Sequence, residues 1–144
     1  MLRKKRVKYK PVFYILTWVT MKPCLKHGCF RCCINTDMIL LTDDIERIKR
    51  IGYDPSYFCV MIDGYYRLTN KDGRCIFHDG RLCRIYKDRP IGCRLYPIVY
   101  QSDTGKVIKD EECPYRNEFP LSYKKKRLLL SVVDRIQKER MQRI

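Results

Sequence analysis

The chain has 144 residues, enough for one domain with a modest buried core, and its hydrophobic fraction of 45% argues against wholesale disorder. Nine cysteines are an odd number for a disulfide framework, and the net charge of +15 is unevenly placed. Residues 1–10 and 121–144 hold 14 basic against two acidic side chains, and the stretch between holds 17 against 14, so the cysteine-bearing middle is not built as a nucleic-acid groove.

In chain order, a basic start (Met1 to Arg6) precedes an apolar run from Val12 to Met21, far too short to span a bilayer. It has the outline of a secretory signal but no Ala-x-Ala-like cleavage site follows, so Val12–Val19 is expected to be a buried strand. A reducing, cytoplasmic location and no membrane association follow as expectations, and in that setting dense cysteine means metal more often than disulfide.

Four thiols then fall within ten residues, at Cys24, Cys29, Cys32 and Cys33, and five more follow at Cys59, Cys75, Cys83, Cys93 and Cys113. Neighbouring residues such as Cys32 and Cys33 rarely bridge each other, whereas the two-residue gap from Cys29 to Cys32 lets two sulfurs converge on one ion. Met38–Leu41 reads as a short buried strand. Thr42–Gly52 reads as a helix, with Thr42 as cap, acids in its first turn, Ile45 and Ile48 on its apolar face, and Gly52 as its stop. Tyr57–Leu68 reads as strands around a turn at Asp63-Gly64, with Cys59 a small buried hydrophobe.

Arg74–His78 and Arg81–Ile85 read as a β-hairpin. A three-residue loop, His78-Asp79-Gly80 with Gly80 left-handed, would pair Phe77 with Arg81 and Cys75 with Cys83, aiming both thiols at one site. Between Pro90 and Pro97 there is room for at most two turns of helix, with Asp88 as its cap and Cys93 rigidly held. Ile98–Tyr100 and Val107–Ile108 read as a strand pair. From Leu121 onward Leu129, Val132, Val133 and Ile136 recur at helical spacing, which predicts a C-terminal helix packed on the core. The two histidines read as solvent-facing, His27 in a loop and His78 at a turn tip.

Thiolates are soft donors for zinc and iron–sulfur clusters, and a site usually takes four. Setting Cys59 aside leaves eight. Arg74, Arg84, Arg89 and Arg94 lie near thiols in sequence. Arg89 and Arg94, flanking the proline-bounded turn of Cys93, are the candidates to offset the negative charge of a cofactor there. No Ser/His/Asp set, phosphate loop or carboxylate pair can be argued.

The whole string is more specific than its parts. Cys24-x4-Cys29-x2-Cys32-Cys33, the 42–52 helix, Asp72-Gly73-Arg74-Cys75, Cys83-Arg84-Ile85-Tyr86, Arg89-Pro90-x2-Cys93-Arg94-x-Tyr96-Pro97 and a late Cys113 resemble the YkgJ-type cysteine-cluster family over residues 24–115. The resemblance implies a zinc- or iron-chelating domain in which Cys24, Cys29, Cys32, Cys33, Cys75, Cys83, Cys93 and Cys113 carry the metal. Flagellin lysine N-methylases look related through the same motif, but this chain shows no Gly-rich loop for a methyl donor. The expectation is therefore a small single α+β domain: short strands and a hairpin around a cysteine cluster, one internal helix and a C-terminal helix. Residues 1–23 form a basic segment with an apolar strand, 24–115 the metal-binding unit and 116–144 a basic amphipathic helix. The expected cofactor is an iron–sulfur cluster of the 4Fe-4S type, ahead of zinc. Redox or electron transfer is the expected activity, with an acidic protein or RNA at the basic ends.

Overall fold

A computed structural model describes residues 23–144, so the strand expected at Val12–Val19 lies outside the described residues. Helices and short antiparallel strands alternate as in a small α+β domain. Among the described residues, helices α1 (Pro23–Lys26), α2 (Thr42–Arg50), α3 (Pro55–Phe58), α4 (Ile91–Leu95) and α5 (Tyr123–Arg143) accompany seven strands in three small sheets.

The first sheet has the order β1 (Ile39–Leu40), β3 (Tyr65–Leu68), β2 (Cys59–Ile62). The expected turn joins β2 to β3: Asp63 and Gly64 both take left-handed backbone (φ 54° and 83°), the geometry that suits a two-residue hairpin. Successive residues of extended chain face opposite ways, and at the end of β1, where Leu41 continues the extended backbone up to α2, that divides the molecule. Leu40 enters one core with Ile45, Ile48, Phe58, Leu68 and Phe77, and Leu41 enters a second with Leu95, Ile98, Leu129 and Val132. The first core supports the cysteines, with Cys33, Cys83 and Cys93 packed on it. The second is roofed by α5 and floored by β6 (Ile98–Gln101) and β7 (Lys106–Lys109), the expected strand pair. Ser122, whose hydroxyl accepts from the Lys125 N–H, starts α5. Among the described residues no helix is long and apolar enough to cross a membrane.

Helix α2 forms where expected, but Thr42 does not cap it. Thr42 lies inside the helix, and its N–H is met by the Glu139 carboxylate of α5, whereas Asp44 reaches back to accept from the Leu41 N–H at 3.0 Å. The same Asp44, 1% exposed, also accepts from the Ile91 N–H at the start of α4 and pairs with Arg47 at 2.8 Å. Asp44 therefore caps α4 from across the fold, in place of the expected Asp88. Pro90 stands just ahead of the helix with no N–H to cap. Gly92 permits the close approach of α4 to β1, since a Cβ there would overlap the sulfur of Met38.

The expected hairpin register is not formed. Strand β5 (Arg74–Cys75) pairs instead with β4 (Asn70–Lys71) around a tight Asp72-Gly73 turn, both residues left-handed. Between 74–78 and 81–85 only a single bridge remains, His78 opposite Cys83, in place of Cys75 opposite Cys83. The reason is local. Asp79 accepts from the N–H groups of both Arg81 and Leu82 at 2.8 Å, while its own N–H donates to the Leu82 carbonyl. A carboxylate that collects two amides holds a four-residue loop better than the three-residue bulge. Gly80 is left-handed, as expected, within that longer loop (φ 99°).

Candidate metal centre

Each cysteine arrives on its own small device. Cys24 sits on α1, whose single turn is closed by the His27 N–H on the Pro23 carbonyl; Gly28 (φ 62°) then lets the Cys29 N–H return to the Cys24 carbonyl at 2.8 Å. The four-residue gap thus becomes one compact loop with both thiols on the same cavity. A 3-10 turn, Arg31–Cys33, follows, tied by the Cys33 N–H to the Phe30 carbonyl. Cys75 comes from β5, Cys83 from the far side of the Asp79 loop and Cys93 from α4. Cys113 comes from a turn in which its N–H bonds the Asp110 carbonyl.

All eight of the cysteines singled out by the sequence line one cavity of about 120 Å³, and Cys59 does not. Cys59, on β2, packs against the first core as several of the lining cysteines do, but away from the cavity wall. Cys75 and Cys83 share the cavity even though their expected pairing fails. All nine thiols are free. Among the described residues no three Cys, His, Asp or Glu side chains meet in a ready-made coordination set; the thiols stand around the cavity.

Cys32 is the electrostatic centre. A hydrogen bond from Cys33 lowers its thiol to about 7, against the opposing effect of burial and with help from Arg89. The thiols around it move the other way. Burial raises Cys75, Cys83, Cys93 and Cys113, and negative charge on Cys32 adds to each. Cys33 is raised chiefly by the same hydrogen bond that lowers Cys32. A cavity with one thiolate available near neutrality and several thiols that resist ionising gains most from a cation able to replace the protons.

The rest of the wall is apolar or cationic. Arg89 lines the cavity, its Nε donating to the Tyr86 carbonyl and its guanidinium lying 3.7 Å above the Tyr86 ring. Arg94 does not line it: that side chain is exposed and donates to the Lys87 carbonyl. Arg31 and Arg81 do, although neither stood out in the sequence, where the arginines next to later cysteines drew the attention. His27 stays at the surface, stacked on Tyr115 and bonded to Glu118. His78 corrects the expectation. It is only 6% exposed, stacks on Phe30 at 4.5 Å, and lies on the cavity wall with Nδ1 accepting from the Gly80 N–H. No neighbour along the chain marked it, because the ring it stacks on, Phe30, lies far away in sequence.

A shell of thiols on short, independently braced turns defines a small cysteine-rich metal-chelating domain. Residues 23–115 match the CxxCxxCC family model, described as "Putative zinc- or iron-chelating domain", and the chain belongs to that family. No curated protein and no solved structure matches the chain.

Proposed function

We propose that the cavity holds an iron–sulfur cluster of the 4Fe-4S type, bound by thiolates drawn from Cys24, Cys29, Cys32, Cys33, Cys75, Cys83, Cys93 and Cys113. The observation that carries this reading is the sorting of the cysteines: eight, from separate stretches of chain, face one cavity and the ninth lies elsewhere. Family membership supports zinc or iron without choosing between them. The choice of a cluster rests on the setting. Two simple zinc knuckles would keep two separated groups of four, whereas here one cavity gathers all eight, with Arg31, Arg81 and Arg89 able to offset the charge of a polythiolate centre.

Such a cluster would supply one-electron transfer. The chain's part is to supply the thiolates and to surround them with apolar wall: Phe30, Tyr86 and Tyr96 line the same cavity, and Arg89 stacks on Tyr86 there. A reducing compartment such as the cytoplasm would keep the nine thiols free. An acidic protein or RNA partner has less support in α5 than its sequence promised. Arg135, Lys138 and Arg143 pair with Asp43, Asp134 and Glu139, which leaves Lys124, Lys126 and Arg127 at its start.

The test is elemental analysis with visible absorption on protein purified without air. Iron with acid-labile sulfide and a broad band near ~400 nm, expected of thiolate-bound clusters, upholds the proposal. Stoichiometric zinc without colour replaces it with a structural module, and neither metal removes it.

A further inference from the structure

A second concave region lies against the outside of the thiol cavity. It has a volume of about 190 Å³ and is enclosed by the β4–β5 turn and the Asp79 loop, with Lys71, Arg74 and Arg84 in its wall. Cys75 and His78 belong to the walls of both spaces. We propose that this cleft binds a small oxyanion-bearing ligand, a phosphate monoester or a carboxylate, through the guanidinium groups of Arg74 and Arg84 assisted by Lys71.

Three observations carry the assignment. First, charge. Two carboxylates, Asp72 and Asp79, share the wall with the three cations, but Asp79 is already engaged by the N–H groups of Arg81 and Leu82. Those two amides hold its carboxyl low, with Arg84 adding a smaller effect. Second, no described residue claims the cations. None of Lys71, Arg74 and Arg84 makes a side-chain hydrogen bond or ion pair with a described residue, whereas the arginines of α5 find carboxylates or carbonyls. Third, Arg74 is seated. Its guanidinium lies over Gly80, where a built Cβ would stand 2.9 Å from one terminal nitrogen, so the left-handed glycine that shapes the loop also makes room for the cation.

Arginine presents paired N–H donors that match a phosphate or carboxylate edge, and two of them with a lysine make a cradle for one such group. The space is suited to one anionic group and a short attachment. A nucleic-acid strand would want a run of cations and stacking faces, and Tyr57 is the one tyrosine in the wall. Because Cys75 and His78 divide the two spaces, an anchored ligand would lie one side chain away from the thiols. The inference does not depend on which metal the thiols take.

The test is titration calorimetry on the full chain with its native metal, using inorganic phosphate and succinate as probes. Saturable binding of either at one site is expected, with Arg74→Ala and Arg84→Ala each weakening it about tenfold, the loss typical of one charge-assisted contact. Arg84→Lys keeps the charge on an exposed position and still weakens binding, while a Lys106→Ala/Lys138→Ala control, which removes two cations on β7 and α5 that do not line the cleft, leaves it intact. Unchanged helicity and metal content certify each variant as folded. The proposal falls if neither probe saturates, if the distant control loses binding as much as Arg74→Ala, or if a short single-stranded oligonucleotide displaces phosphate from these residues at lower concentration.

Discussion

Around Leu129 the chain builds with long repeating elements: a 21-residue helix over a two-stranded ribbon, its buried side chains recurring at helical spacing. Around Cys32 it builds with single turns, a 3-10 turn, two-residue strands and loops closed by one or two hydrogen bonds. The first region needs nothing beyond apolar burial. The second exposes a ring of thiols to a shared cavity, and little regular backbone bonding holds that ring together. A scaffold with its own core can therefore carry a site whose final order comes from what it binds. Asp44 and Arg47 join the two. Asp44 caps α2 and α4, and Arg47 donates to both Asp44 and the carbonyl of Arg89 on the cavity wall.

The largest effects should come from the thiols. Cys32→Ser is expected to lose bound metal by at least the roughly 10–100-fold that removal of even an outer partner produces, while Cys59→Ser retains it, as measured by elemental analysis. Equal loss in both variants would erase the distinction between a lining cysteine and a core cysteine. Stripping the metal with a chelator should raise hydrogen exchange across residues 23–35, 75–93 and 110–115 and leave the buried face of α5 and the β6–β7 ribbon protected. Uniform loss of protection would mean that the two regions fold as one unit.

Asp44→Ala comes next. Losing a helix-start acceptor costs about 0.5–2 kcal/mol, and here two helix starts lose the same one while Arg47 loses its carboxylate, so thermal unfolding should drop sharply. Leu129→Ala should cost about 2–5 kcal/mol without changing metal content, because it empties only the second core. A fall in metal content there would couple the regions through packing.

Dependence on pH should have opposite signs with and without metal. Without metal, Cys75, Cys83, Cys93 and Cys113 hold their protons above the ordinary thiol value, chiefly through burial. The stability this gives is fully present below an unfolded thiol value of about 8.5 and declines as pH rises past it. With metal, protons must leave for binding, so affinity rises with pH and falls in acid. The smallest effect belongs to Asp79→Ala. Its carboxyl is held low by the two loop amides, so its contribution exists above the unfolded carboxylate value of about 3.9 and disappears as pH falls below it. A slight weakening of the loop at neutral pH, absent in acid, is expected in the thermal melt.

The regular region was legible in the sequence because its elements are decided locally. The apolar spacing of α5, the helix from Thr42 to the glycine stop and the Asp63-Gly64 turn all rest on interactions within a few residues, and all formed where the pattern puts them. The sequence also set Cys59 aside, because no cysteine or histidine stands close to it, and Cys59 is the cysteine that does not line the cavity. Only the tertiary structure decided how the thiols meet. Whether Cys75 opposes Cys83 depended on Asp79 finding two amides, and the start of α4 depended on a carboxylate 47 residues away. His78 became part of the wall because Phe30, distant in sequence, folded over it. Long-range hydrogen bonds and packing leave no periodic trace along the chain, and so candidate thiols could be named from the sequence while the way they share one cavity could not.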